Sequence, residues 1–170
     1  MLKTAAVVAF LSLMLVFPTT SRAQLLPSGN VYAGAAYADS VDIVNRLTFK
    51  GWDGSLEDLP FHRFAYLGFV LDASGIYRKG VNQYNAVLGP RLSHNFGKWR
   101  VFADVMGGGE QTKSSDNTFR GWAVDAGGGV DRRLPFKHFS WRAQFDYVHT
   151  HLLSANQNDY RGSTGLVWRF

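Results

Sequence analysis

The sequence contains no cysteine, so neither disulfide bonds nor thiolate metal sites are available to stabilise the fold. Charged residues are also scarce, at 18% of the chain, and they are mostly scattered singly. Because no cluster of lysine and arginine indicates a nucleic-acid-binding surface, we expect no nucleic-acid partner. After the N-terminal segment, no apolar run approaches the roughly 20 residues that a membrane-spanning helix needs. A helical membrane protein is therefore excluded.

One short apolar run lies near the N-terminus. Residues 5–17 are apolar apart from one serine, which is too short for a membrane span but typical of the core of a signal peptide. Lys3 precedes the run, and small residues up to Ala23 form a cleavage site. We therefore predict a cleavable signal peptide over residues 1–23, followed by a single domain over residues 24–170.

The chain is rich in glycine and in aromatic residues, which make up 15% of the sequence. From residue 30 onward, apolar and polar residues alternate in segments separated by turn-forming residues, which is the pattern of β-strands. In the last segment Leu166 and Trp168 alternate with Arg161 and Arg169. The same alternation places eight further charged residues on one face of their strands: Asp72, Arg91, Arg100, Asp104, Asp125, Asp131, Arg142 and Asp146.

Eight such segments predict an all-β fold, an eight-stranded antiparallel up-and-down β-barrel of the transmembrane type. The apolar faces carry tryptophans near the strand ends, where a membrane interface places aromatic girdles. A soluble barrel needs the opposite arrangement, with an apolar lumen, and a soluble β-sandwich does not explain so many charges and glycines on one face. The eight charged residues then form a lumenal salt-bridge network that is mainly structural. In it, arginines 91, 100 and 142 face aspartates that include Asp72, Asp125 and Asp146.

Some features of the strands are less regular. The second segment changes phase near Gly51, which a β-bulge would explain. Pro90 lacks an N–H group for the ladder, so we predict a bulge there as well. The facing of residues 31–38 stays undecided, because nearly all are small or apolar. Short connections are predicted at residues 58–62, 95–98 and 134–138, and longer ones at 39–46, 77–83, 112–118 and 152–159. This alternation is typical of short periplasmic turns and longer external loops.

Residues 157–170 resemble the closing strand of the small outer-membrane β-barrel family, which includes the OmpA-like transmembrane domain and porin-like proteins. Four more segments are similar to internal strands of that family and occur in the same order: residues 88–91, 115–119, 126–131 and 146–150. The resemblance is closest to versions common in soil bacteria, and it covers essentially the whole mature chain. It implies a monomer in the cell outer membrane that contacts outer-membrane lipids. It also implies that the barrel assembly machinery recognises Phe170, with Trp168 on the same face.

These observations favour a non-enzymatic barrel, either structural or a narrow porin-like channel, with neither metal nor cofactor. One alternative is a lipid A-modifying enzyme, in which His149 or His151 acts with Ser154. The spacing of these residues does not match a serine, histidine and acid catalytic triad, because Asp146 lies on the opposite strand face from both histidines. The two histidines also lack an accompanying carboxylate that would favour a metal site. The other alternative is a barrel that binds a surface ligand through its extracellular loops.

Deletion of Phe170 is expected to impair assembly in cells more than stability. The ring lies at the end of the last strand, so its loss removes only part of the roughly 1.5–3 kcal/mol that a fully buried phenylalanine contributes. The measurement compares the amount of barrel in the outer membrane of cells with the yield of refolding in detergent. Small and equal losses in both settings would show that Phe170 is not an assembly signal.

Overall fold

The computed structural model describes residues 29–41, 46–58, 67–78, 80–114, 117–152 and 155–170, and the predicted signal peptide over residues 1–23 lies outside them. No helix in this part of the chain is long and apolar enough to cross a membrane. The described strands are β1 (Gly29–Val41), β2 (Arg46–Asp58), β3 (Leu67–Arg78), β4 (Val81–Phe96), β5 (Trp99–Ser114), β6 (Thr118–Arg133), β7 (Phe139–Leu152) and β8 (Ala155–Arg169).

Each strand pairs with its neighbours in sequence, and β8 pairs antiparallel with β1 to close the barrel. The predicted eight-stranded antiparallel barrel is therefore confirmed. We call the end that carries Gly29 and Phe170 the terminal end, and the end with the β1–β2, β3–β4, β5–β6 and β7–β8 connections the opposite end. Closure leaves the sheet without a free edge, so its backbone N–H and C=O groups can pair between strands all the way around.

Residues that alternate in the sequence lie on the outer and inner faces of the barrel wall. In β3, Phe69 and Leu71 are exposed on the outside, whereas Val70 and Asp72 are buried inside. The facing of β1, which the sequence leaves undecided, follows the same rule, because Tyr32 is buried inside while Tyr37 is half exposed on the outside. Successive side chains of a strand point to opposite faces, so one register decides the environment of every residue.

The predicted bulge at Gly51 is wrong. Strand β2 pairs without interruption with both β1 and β3, so Lys50 points outward and Asp53 inward. The apparent change of phase has another cause: towards the opposite end the inward positions of β1, β2 and β3 are apolar, and Phe49 packs there against Ile76. Gly51 serves a close approach instead, since a Cβ at this position would clash with the β3 backbone at Ile76.

The predicted bulge at Pro90 is also wrong. Leu88 pairs with Gly107 and Arg91 pairs with Asp104 in the same register, so no extra residue enters β4. The pairing between β4 and β5 lapses only at positions 89 and 90, while Pro90 stays paired with β3. A missing N–H group therefore interrupts one ladder locally and does not shift it.

The predicted alternation of short and long connections is not observed. At the opposite end the strands extend through most of the polar segments and leave only residues 42–45, 79–80, 115–117 and 153–154 between them. At the terminal end, residues 59–66 separate β2 from β3, a longer span than the predicted turn at 58–62. Polar composition is a poor guide here because the hydrogen-bonded ladder between strands does not depend on the polarity of their side chains.

Replacing Val105 with Arg is expected to destabilise the barrel by about 2–4 kcal/mol, the range for a cation on the lipid face near the membrane midplane. Val105 is 57% exposed on the outer wall, midway along β5. The folded fraction can be followed by the difference in gel mobility between boiled and unboiled samples during urea titration. Val105→Ala controls for lost volume, and equal effects of the two substitutions would contradict the assignment of this face to lipid.

Candidate functional site

Charged side chains that are almost completely removed from solvent fill much of the lumen. Among the described residues the buried carboxylates are Asp53, Glu57, Asp72, Asp104, Glu110, Asp125, Asp131, Asp146 and Asp159, and the buried guanidinium groups are Arg91, Arg100, Arg142 and Arg161. A buried charge is stable only when it is paired or hydrogen-bonded. The contacts between these side chains divide them into three clusters, which follow one another from the terminal end to the opposite end.

The first, the Glu57 cluster, consists of Glu57, Arg91, Arg100, Asp104, Asp131 and Arg142. Glu57 is at its centre: Oε2 lies 3.4 Å from Nη1 of Arg91 and 3.6 Å from Nη2 of Arg142, and Arg100 donates to both carboxylate oxygens. Asn30 of β1 adds a hydrogen bond to Oε2 at 3.1 Å. One carboxylate from β2 thus binds arginines from three strands across the lumen. The buried members of the cluster balance three negative charges with three positive ones, and the partly buried Arg169 adds a contact to Asp131 at 3.3 Å.

Strand register brings together the other pairs of the Glu57 cluster. Arg91 lies directly opposite Asp104 on the adjacent strand, and its Nε donates to Oδ2 at 2.6 Å. Asp131 lies opposite Arg142 and accepts two hydrogen bonds from it, at 2.7 and 3.0 Å. The ring of Phe102 is contacted by both guanidinium groups, with the Cζ atoms of Arg91 and Arg142 4.2 and 4.4 Å from its centroid. Bidentate pairing and stacking together fix the arginines in one geometry.

The second, the Arg161 cluster, consists of Asp53, Asp72, Asp125, Asp146 and Arg161. Nη2 of Arg161 lies 2.8 Å from Asp125, 3.0 Å from Asp146 and 3.2 Å from Asp72. Asp53 contributes a fourth carboxylate, and neither of its oxygens has a hydrogen-bond partner among the described residues. A single guanidinium group therefore serves several carboxylates, and this cluster is formally acidic.

The third, the Glu110 cluster, consists of Glu110, Asp159, Gln83, Thr112, Thr150 and Gln157. Glu110 accepts hydrogen bonds from Gln83 and Thr150, both at 2.6 Å, and Asp159 accepts one from Gln157 at 2.7 Å. Gln83 also donates to Asp159 at 3.2 Å, so neutral amides and hydroxyls donate to both carboxylates. The buried side chains of the lumen therefore change from charge-balanced at the terminal end to acidic at the opposite end.

The clusters leave little open space between them. A cavity between the Arg161 and Glu110 clusters, lined by Ser74, Gln83, Glu110 and Arg161 among others, has a volume of about 10 Å³. That volume is about the minimum that a single water molecule requires. Eight strands give an interior just wide enough for side chains to fill. The lumen at this level is therefore closed.

The structure places all eight predicted network residues inside the barrel, but it divides them between two clusters. Arg91, Arg100, Asp104, Asp131 and Arg142 belong to the Glu57 cluster. The sequence predicted that these arginines also face Asp72, Asp125 and Asp146. That pairing is wrong, because the three aspartates bind Arg161 instead. The reason is depth along the barrel axis, which alternation along a single strand does not encode.

Sequence reasoning missed the two residues that hold the clusters together. Arg161 lies on the polar face of the last strand, so its alternation with Leu166 and Trp168 could have identified it. Glu57 and Asp53 were hidden by the apparent change of phase in β2, where Phe49 points inward and Lys50 outward. Reading β2 without a bulge would have placed both acids in the lumen.

The histidines considered for catalysis lie on the outer wall. His149 Nδ1 is 2.7 Å from Oδ1 of Asn158, and the His151 ring stacks on Trp122 at 5.6 Å between centroids. Asp146 is inside the barrel, and Ser154 lies outside the described residues. No group of acidic or histidine side chains in the described part of the chain is arranged to hold a metal ion.

The proposed assembly signal lies where the barrel closes. The rings of Trp168 and Phe170 are 5.2 Å apart and about half exposed on the outer wall. The backbone of Phe170 donates to Gly29 O at 3.2 Å and accepts from Gly29 N at 3.4 Å. The terminal residue is therefore both a part of the β1–β8 seam and accessible from outside.

Comparison with solved structures identifies the same fold in small outer-membrane barrels. Neisserial surface protein A gives a TM-score of 0.71 at 13% identity, over 84% of this chain and 97% of that one. The Yersinia pestis attachment invasion locus protein, solved with the heparin analogue sucrose octasulfate, gives 0.59 at 13% identity, over 85% of this chain and 100% of that one. The N-terminal β-barrel domain of Pseudomonas aeruginosa OprF gives 0.55 at 14% identity, over 83% and 97%. No protein-family model and no curated protein sequence matches the chain.

The same change of carboxylate to amide is expected to have opposite effects at Asp53 and Asp131. Asp131→Asn removes the charge that holds Arg142 and Arg169, and breaking a buried pair costs about 3–5 kcal/mol. Asp53→Asn removes a buried charge that has no hydrogen-bond partner, so the free energy of unfolding should stay the same or rise. Urea unfolding of both variants measures the difference. An Asp53→Asn barrel that is as unstable as Asp131→Asn would contradict the assigned pairing.

Proposed function

We propose that this protein is a non-enzymatic β-barrel of the bacterial outer membrane whose lumen is closed by ion pairs. The observation that carries the proposal is the division of the wall into an apolar outside and a charged, buried inside. A soluble barrel of eight strands needs the reverse, because water outside requires polar side chains there. The fold shared with small outer-membrane barrels supports the same reading.

Two belts of aromatic residues on the outer wall support a membrane position. Near the terminal end the exposed aromatic residues include Trp99, Phe139, Trp141, Trp168 and Phe170, and near the opposite end they include Trp52, Tyr77, Trp122 and Tyr160. Between the belts large apolar side chains are exposed, among them Leu88, Val105 and Leu166. Amphipathic rings concentrate where the hydrocarbon core meets water. The strands, 12 to 16 residues long, exceed the 9–11 residues that a span requires.

An even number of strands brings both chain ends to the same side of the membrane. In this proposal that side is the periplasm, and export depends on the signal peptide predicted over residues 1–23. The aromatic face of Phe170 and Trp168 is then presented to the barrel assembly machinery from the periplasmic side. The barrel acts as a monomer, since closure of β1 on β8 leaves no strand edge for another copy.

The lumen supports a structural role over an open pore. Arg91 and Arg142 are fully buried, and both are bound to carboxylates across the interior. Ion pairs of this kind close the passage near the terminal end. If a narrow path forms, the excess of carboxylates in the Arg161 and Glu110 clusters favours cations over anions.

The alternative functions receive less support. His149 bonds to an amide oxygen and not to a serine or a carboxylate, which disfavours a lipid A-modifying enzyme. Recognition of a surface ligand needs exposed loops, yet the connections at the opposite end span only residues 42–45, 79–80, 115–117 and 153–154. Binding of a sulfated sugar, such as the one in the attachment invasion locus structure, would depend on a small surface here.

The unmodified protein is expected to show little steady conductance in planar bilayers, because ion pairs fill its lumen. The double variant Arg91→Ala with Asp104→Ala removes one pair together, while Glu57 keeps Arg100 and Arg142. Conductance should rise in this variant, with cations carrying most of the current. Val105→Ala on the outer wall is the matched control. Large steady conductance of the unmodified protein would contradict the closed lumen and favour an open channel.

A further inference from the structure

We propose that the outer wall at the terminal end binds the phosphate headgroup of an anionic phospholipid in the periplasmic leaflet. This inference rests on the proposed membrane location. The site, which we call the headgroup site, is a groove of about 610 Å³ lined by Lys98, Arg132, Arg133, Leu134, Pro135 and Trp141. It lies outside the lumen and is separate from the three buried clusters.

Strand register places an arginine between two tryptophans in this groove. Arg132 of β6 pairs with Trp99 of β5 on one side and with Trp141 of β7 on the other, and all three point outward. The guanidinium carbon lies 5.3 Å from the Trp99 ring centroid. Stacking engages the face of a guanidinium group and leaves its N–H donors available at the edge. Arg132 is therefore oriented but still able to bind an oxygen anion.

Two more cations stand beside Arg132. Lys98 lies in the β4–β5 turn, and its carbonyl oxygen accepts a hydrogen bond from the backbone N–H of Arg133 at 2.9 Å. This bond joins the turn to the end of β6, so both residues line the groove. Both are exposed. Three basic residues thus line the groove where the aromatic belt of the terminal end meets water.

The headgroup site differs from the lumen in having no carboxylate. None of the residues that line it is acidic, and within the described ranges the side chains of Lys98, Arg132 and Arg133 form no ion pair. The lumenal arginines, by contrast, all bind carboxylates. Cations without acidic partners attract an external anion. At this depth on a membrane barrel, the anion at hand is a lipid phosphate.

The remaining lining suits the rest of a phospholipid. Leu134, Pro135 and Trp141 give the groove an apolar wall that continues into the lipid-facing surface. A headgroup phosphate can contact the cations while the glycerol and upper acyl chain lie against Trp141. A free phosphate ion would use only the cationic edge. The shape therefore favours a lipid phosphate over a soluble one.

The test measures retention of lipid by the folded protein in detergent using native mass spectrometry. Phosphatidylglycerol and phosphatidylcholine with identical acyl chains are the probes, and phosphatidylglycerol should be retained preferentially. Combining Lys98→Gln, Arg132→Gln and Arg133→Gln should weaken its binding at least about tenfold, because each basic side chain near a membrane surface adds to the attraction. Arg120→Gln, an exposed cation near the opposite end, is the matched control and should bind as the unmodified protein does.

Two further experiments distinguish a lipid phosphate from a soluble phosphate, and the headgroup site from the proposed membrane location. Inorganic phosphate is added as a competitor: weak displacement of phosphatidylglycerol supports the lipid site, whereas binding as tight as that of the lipid would overturn it in favour of a soluble anion. Insertion into phosphatidylcholine vesicles, read from the gel shift on boiling, tests the membrane location separately. Insertion together with equal retention of both lipids would refute the headgroup site alone. Failure to insert would refute the proposed function.

Discussion

The pairing of β1 with β8 is the constraint on which the rest of this structure depends. It removes the sheet edges, so that the backbone can be hydrogen-bonded all around the wall. It also fixes the width of the interior, which at eight strands holds side chains and little else. Inward residues are then confined in a narrow space, and outward residues meet the surroundings. The hydrogen bonds between Phe170 and Gly29 complete this seam.

Confinement explains the character of the lumen. Carboxylates and guanidinium groups that cannot reach water have to find each other, and register supplies some of the pairs, such as Arg91 with Asp104. Others form across the barrel, as when Glu57 binds arginines of three strands. The number of buried arginines decreases from the terminal end to the opposite end, where neutral donors such as Gln83 and Thr150 bind Glu110. The interior is therefore held firmly at one end and is acidic at the other.

The two ends of the outer wall differ as well. At the terminal end, Arg132 stands between Trp99 and Trp141 without a carboxylate nearby. At the opposite end, His149 and His151 lie beside Trp122 in contacts with neutral or aromatic groups. The same type of amphipathic belt thus carries unpaired positive charge at one end. The buried arginines of the lumen are bound by carboxylates of the protein, whereas Arg132 on the outer wall stacks on Trp99.

The sequence by itself determined the strand number, the order of the strands and the facing of most of them, because alternation with a period of two is a local property. It also placed the eight predicted charged residues on the inner face. Only the tertiary structure decided which charges meet. Asp72 and Asp125 bind Arg161 because barrel closure and strand register bring these three residues to the same depth along the barrel axis. The pattern within one strand does not show that depth. Neighbouring strands likewise decided that β2 pairs without a bulge at Gly51 and that the β4–β5 ladder is interrupted at Pro90. Register is a relation between two segments of chain.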